Sequence, residues 1–275
     1  MEKMTKFLAW FSAAMLLIIL LLIVQDIFVN SFQHFDLSFL TETPTSGGRK
    51  GGIFPIIVST LLILGVCLLF IVPMGLGAAL FLSECSDEFP KTVRVVRKAL
   101  DILSGVPSIV FGLFGNALFC VFFGLGFSIW SGGLTLAIMS MPLFIRTVEE
   151  GIRTIPKNYR LVPLSLGISR ATTIRSIIIP YALPSIIVGG VLSIGRSLAE
   201  TAALIFTSGY VDRMPESLSD SGRTLSIHIY DLTMNVPGGD TNAYKTALIL
   251  ILLIFTTNGL FTIALKTWYK KRIAL

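Results

Sequence analysis

Two charges of opposite sign interrupt one apolar stretch of this chain. Arg196 and Glu200 lie within "IIVGGVLSIGRSLAETAALIF", Ile186 to Phe206, which otherwise reads as a membrane-crossing helix. A charged side chain at the centre of a bilayer costs roughly 2.5–3.5 kcal/mol on insertion scales, so each one needs a partner or a task. Four residues apart on a helix, the two share a face about one turn apart. One reading is an ion pair that fixes packing inside a helical bundle. The other is a path for an anion, because an arginine offers a planar fork of donors that matches oxyanion geometry and stays charged.

A second candidate pair, Arg223 and His228, falls in a long polar loop. Such residues contact a partner, steer anions or are simply solvated. His228 has no neighbouring His or Cys to form a metal-ligand cluster, and Cys67, Cys85 and Cys120 have no metal-type spacing. Neither a metal site nor a disulfide framework is expected. The chain also lacks a G-x-x-x-x-G-K-[ST] phosphate loop and the G-x-S-x-G, H-E-x-x-H and G-x-G-x-x-G motifs. It is therefore not expected to hydrolyse ATP or to act as an enzyme, and any work it does draws on a partner or a gradient.

The elements that must hold these residues are membrane spans. Of the 275 residues, 53% are hydrophobic and 14% charged, well below the roughly 25% charged of soluble domains. Apolar runs of about 20 residues, the length that crosses the hydrocarbon core, occur at 8–29, 56–82, 106–123, 128–144, 183–206 and 247–268. Six spans put both termini on one side. Sixteen Lys and Arg fall in the termini and in the loops on that side, against five in the opposite loops. The positive-inside rule then predicts cytoplasmic termini, with loops 30–52 and 208–245 outside. The net charge of +6 belongs to this loop asymmetry and not to nucleic-acid binding. The first span, behind "MEKMTK", is longer than a signal-peptide core and is expected to stay as an anchor.

The predicted cytoplasmic loop 146–182 carries Leu164, Ile168, Ala171 and Ile174 at helical spacing on one side, with Arg170 and Arg175 elsewhere. A short amphipathic helix at the membrane face is expected, ended by Pro180 and Pro184. It suits either anionic lipid or a protein partner.

This loop resembles the coupling loop of ABC importer permeases, in which a glycine is followed after nine residues by I-x-L-P. Here Gly167, Ile177 and Pro180 match, Ile179 stands for leucine, and Leu161, Val162 and Pro163 replace the usual E-A-A. "SGVPSIVFGLFG" (Ser104 to Gly115), "GRSLAETAAL" (Gly195 to Leu204), "SLSDSGRTLSIHIYDL" (Ser217 to Leu232) and "GGIFPIIVSTLLI" (Gly51 to Ile63) resemble the PstA-type permeases of phosphate-specific importers. Ala199 replaces the glycine expected before the glutamate.

The resemblance implies an all-α chain with a single transmembrane domain of six helices in the MetI-like ABC permease architecture. It also implies a PstC-type second permease subunit, a PstB-type ATPase dimer that binds ATP and Mg in place of this chain, and a PstS-type extracytoplasmic phosphate-binding protein. Arg196 and Glu200 would line the substrate pathway, Gly167, Ile177 and Pro180 would serve ATPase coupling, and Arg223 and His228 would meet the binding protein. Glu200 would accept the hydrogen bond of the P–OH that phosphate retains at neutral pH and sulfate lacks. A gradient-driven anion carrier, a permease for another oxyanion and a membrane-embedded lipid-phosphate enzyme are the competing readings. The carrier would use Glu200 as a proton relay, whereas no nucleophile and base pair supports the enzyme.

Overall fold

The computed structural model describes residues 2–32, 36–86 and 88–273. Residues 33–35 of the first predicted outer loop and the last two of the C-terminal segment lie outside it. Lipid offers no partner for backbone N–H and C=O groups, so apolar runs resolve into helices that satisfy themselves. Five are long and apolar enough to cross a membrane. They are α1 (Glu2–Phe32), α2 (Phe54–Glu84), α5 (Ile129–Arg153), α7 (Arg170–Ala199) and α9 (Asp240–Ile273). Between them lie α3 (Pro90–Ser104), α4 (Ser108–Gly115), α6 (Asn158–Ser165) and α8 (Leu225–Met234). The only strands among the described residues are the two-residue pair Pro44–Thr45 and Lys50–Gly51, antiparallel with Pro44 opposite Gly51.

The third predicted span differs most from expectation. Its 8-residue α4 continues into a 7-residue π-helical stretch, Asn116–Phe122, reaching about 20 Å and falling short of the ~30 Å hydrocarbon core. Ahead of it the chain turns by 105° from α3, with Pro107 starting α4. The basic residues expected in a loop thus sit on a helix: α3 buries Val93 and Leu100 and exposes Lys91, Arg94 and Lys98. The fourth predicted span also runs on past Phe144 to Arg153. Hydropathy marks where lipid ends, whereas the helix continues because its charges find partners on α3.

Predicted breaks at Pro180 and Pro184 do not occur, and α7 passes through both. A π-helical turn at Ile174–Ile178 lies just ahead of Pro180. A wider turn there relieves the clash between a proline ring and the preceding carbonyl. At the other end, α7 stops at Ala199 and not at Phe206.

The core forms where α5 packs between α2 and α7. Small residues permit this, as is usual where helices meet in lipid. A Cβ on Gly133 would lie 2.5 Å from Val66 Cγ1, and one on Gly75 would lie 2.5 Å from the ring of Phe144, which is fully buried. By contrast, α1 rests mainly on α9, through Ser31 Oγ donating to Tyr244 O (2.7 Å) and Tyr244 Oη donating to Asp26 Oδ2 (3.1 Å). Nearly all its apolar side chains, from Phe7 to Ile23, are exposed.

A Gly133→Leu substitution should lower stability by about 1–3 kcal/mol through overpacking. Gly65→Ala, where a Cβ meets nothing within 4 Å, should not. Thermal unfolding of the detergent-solubilised chain compares the two.

Candidate functional site

Glu200 marks a break in the fifth span. The helix α7 ends there, with Glu200 in an extended conformation (φ −76°, ψ 131°), Thr201 off-helix (φ −121°, ψ −53°) and a single helical turn at Ala202–Ile205. The shared helix face expected for Arg196 and Glu200 is therefore lost, and no ion pair joins them among the described residues. Instead Glu200 Oε1 accepts from the Ala203 N–H (3.3 Å), and its carbonyl accepts from Ser226 Oγ (2.6 Å) on α8. Among the described residues Arg196 makes no hydrogen bond and no salt bridge. It is partly exposed and continues a face of α7 on which Tyr181, Val188 and Leu192 are exposed. A free guanidinium on an uncovered face, one turn before a helix break, presents its donors to whatever lies against that face.

Behind Arg196 lies a buried hydroxyl cluster that the apolar pattern of the sequence conceals. Ser197 Oγ sits 3.4 Å from Cys67 Sγ and 3.3 Å from Ser140 Oγ, joining α7 to α2 and α5. Tight packing also surrounds the short fourth helix. A Cβ on Gly112 would stand 2.8 Å from Ala203 Cα, and one on Gly115 would stand 2.2 Å from Thr135 Oγ1.

At the opposite end of α7 lies the loop with the coupling motif. Here Gly167 (φ +77°) ends α6: the Ile168 N–H donates to Pro163 O (3.0 Å) and the Gly167 N–H to Leu164 O (3.1 Å). This is the Schellman pairing, which needs a left-handed residue and favours glycine. Because the chain reverses here, Leu164 and Ile174 lie on separate helices, contrary to the single amphipathic helix expected. Gly167 sits at the tip, while Ile177 and Pro180 lie along α7, in and just after its π-helical turn. Leu161, Val162, Leu164 and Leu166 are 61%, 55%, 46% and 74% exposed, an apolar surface with no cover from this chain.

The tip is braced from below. Arg160 Nε donates to both oxygens of Glu84 (2.9 and 3.0 Å), and its Nη atoms donate to Ile155 O (2.8 Å) and Ile152 O (3.0 Å). Arg170 pairs with Glu88 and donates to Glu84 O (3.0 Å). Nearby, Glu149, 1% exposed, accepts from Arg97 (2.7 Å) and Arg146 (3.3 Å), and Arg146 also pairs with Asp101 (2.5 Å). None of these acidic partners was singled out from the sequence. Their signal was there, in acids placed at span ends opposite basic loops.

Arg223 and His228 are not solvated loop residues. Arg223 is 8% exposed and His228 fully buried, so neither side chain forms open surface of this chain. Arg223 donates to Tyr210 O (2.9 Å) and pairs with Asp231 (3.0 Å), while its Nη1 lies 3.3 Å from His228 Nδ1. A guanidinium only donates, so Nδ1 accepts and the proton sits on Nε2, which has no partner. Burial first, and the Arg223 charge second, push the imidazole from 6.5 down to about 3. Gly48 makes the fit possible, since a Cβ there would lie 2.4 Å from His228 Cε1. Asn242 Nδ2 donates to Gly48 O (2.9 Å) and Arg49 O (3.0 Å), so residues 36–52, α8 and α9 form one cap.

A helical bundle with a broken span, an exposed apolar loop tip and a folded cap at the far end defines a transport permease subunit. The chain belongs to the family described as binding-protein-dependent transport system inner membrane component, which matches residues 71–275. It is similar to the probable ABC transporter permease protein YqgI of Bacillus subtilis (strain 168), 29% identical over 94% of this chain and 92% of that protein. The phosphate transport system permease protein PstA of Mycobacterium leprae (strain TN) is 35% identical over 76% of this chain and 68% of its own length. In fold, the chain matches a chain of the MetNI methionine ABC transporter, solved in inward-facing conformations, with a TM-score of 0.60, 15% identity and coverage of 79% and 96%.

Because His228 is neutral when folded, an unfolded chain binds a proton that the folded one refuses below pH 6.5. Stability should therefore fall as pH drops from about 6.5 toward 3, by at most about 1.4 kcal/mol per pH unit. A His228→Gln variant should lose this part of the slope, which melting temperatures from pH 7 to pH 4 would show.

Proposed function

We propose that this chain is the permease subunit of an ATP-driven phosphate importer, forming part of the pathway for inorganic phosphate across the cell membrane. The observation that carries the reading is the match to PstA permeases, 35% identical over 76% of the chain. The free Arg196 beside the break at Glu200 supports it. Broken helices in transporters mark where substrate meets backbone and charge. The reading assigns both termini and the α6 tip to the cytoplasm and the cap to the outside.

In this scheme a second permease subunit faces the open side of α7 and the two enclose the pathway. A dimer of ATPase subunits, which binds ATP and Mg, seats on the apolar tip around Gly167. Ile177 and Pro180 stiffen the stem that carries its movement to Arg196 and Glu200. An extracytoplasmic phosphate-binding protein docks on the cap, where Arg223 and His228 act from within by holding its shape. Arg196 attracts the anion. The free Oε2 of Glu200 takes the P–OH hydrogen bond, so a fully ionised sulfate meets an unpaired carboxylate and is rejected. Chemistry is left to the ATPase, and this chain supplies a path and a coupling surface.

Arg196→Gln in the assembled complex should reduce phosphate uptake by about tenfold or more, the loss of a charge-assisted contact of roughly 1.5–3 kcal/mol. Glu200→Gln should narrow the preference for phosphate over sulfate, measured as flux of each anion into proteoliposomes. If discrimination is unchanged, Glu200 does not read the phosphate proton. If ATP turnover in liposomes fails to respond to phosphate-loaded binding protein, the importer reading itself fails.

A further inference from the structure

The end of the bundle that carries α6 holds a cleft of about 680 Å³. It opens between the end of α2, the α5–α6 turn and the start of α7, and its polar lining includes Ser83, Glu84, Arg153, Lys157, Arg160 and Arg170. Among the described lining residues, four cations face one carboxylate. Arg160 is held by Glu84 and Arg170 by Glu88, so neither has charge to spare. Among the described residues Arg153 and Lys157 make no hydrogen bond and no salt bridge, and both are exposed. A cleft whose described lining carries more cations than anions concentrates counter-ions, and two uncommitted cations within one cavity match the divided charge of a tetrahedral oxyanion.

We propose that this cleft binds a phosphate-class oxyanion, either free phosphate or polyphosphate or the headgroup of an anionic lipid, through Arg153 and Lys157. The two cations sit on the last residue of α5 and at the N-cap of α6, while the braced Arg160 and Arg170 also line the cleft. An anion seated between them ties the loop that carries Gly167 to the ends of α2 and α7. The occupied cleft therefore restrains the same loop whose movement the transport cycle needs. The site does not depend on what crosses the membrane, and it is separate from Arg196 and Glu200.

The test is protection of the Lys157 amine against acylation, read by peptide mass spectrometry on the full-length chain in nanodiscs. In neutral phosphatidylcholine, inorganic phosphate should slow Lys157 labelling about threefold at roughly twice its Kd, by simple mass action. Chloride at equal ionic strength should not, and the exposed Lys91 and Lys98 on α3 should be unaffected by either. Arg153→Gln should abolish the protection. If instead Lys157 is protected only in nanodiscs containing phosphatidylglycerol, and Arg153→Gln again removes the effect, the occupant is a lipid headgroup. Equal labelling of Lys157 in all conditions, or protection that survives Arg153→Gln, overturns the site. Because the readout is one lysine and not transport, this outcome is independent of the Arg196 and Glu200 flux measurements.

Discussion

The backbone N–H and C=O groups that this chain carries into hydrocarbon must find their partners within protein, and much of the architecture follows from how that demand is met. Along most of each span the helix ladder meets it without help. At Glu200 the ladder is interrupted, and two groups repair it: the Ser226 hydroxyl takes the Glu200 carbonyl, and the Glu200 carboxylate takes the Ala203 N–H. The break is thus stabilised by α8, a helix of the cap. Any displacement of the cap bears on the break, because a buried carbonyl left without its donor costs about 1–3 kcal/mol.

The same demand governs the charges at the ends of the bundle. Glu149 is buried and would be costly alone, yet Arg97 from α3 and Arg146 from its own helix both reach it. Losing one partner of such a buried pair typically costs about 3–5 kcal/mol. This node holds α3 against α5 across the 105° turn, so the bend is a packed feature of the fold. Glu84 plays the corresponding part for the α6 loop through Arg160. Basic residues that topology rules count only as loop markers are here the struts of one end of the molecule.

The cap uses a different economy of charge. Arg223 is almost fully enclosed, and Asp231 with the Tyr210 carbonyl satisfies it. His228 stays neutral beside it because a second positive charge in that space would be repelled and unhydrated. The result is a cap over the N-terminal part of α2, anchored further by the Leu225 N–H donating to Thr60 Oγ1 (3.0 Å). Enclosed charge there contrasts with the exposed apolar surface at the α6 tip.

Much of this was legible in the residues. The apolar runs and the permease resemblance of the motifs follow from hydrophobicity and local spacing, both of which act over short stretches of chain. What the sequence did not reveal depends on contacts between distant segments. Arg196 and Glu200 part because Ser226, 26 residues on, stabilises a break that helical spacing alone would deny. Pro180 and Pro184 fail to end a helix because a π-helical turn absorbs the first of them. Arg223 and His228 become interior residues because the segment around Gly48 and α9 pack against the helix that carries His228. Sequence by itself determined which stretches are apolar enough to enter lipid, since transfer out of water is a local sum over side chains. Only the tertiary structure decided which polar groups are paired and which stand free, since pairing is a property of two surfaces that meet.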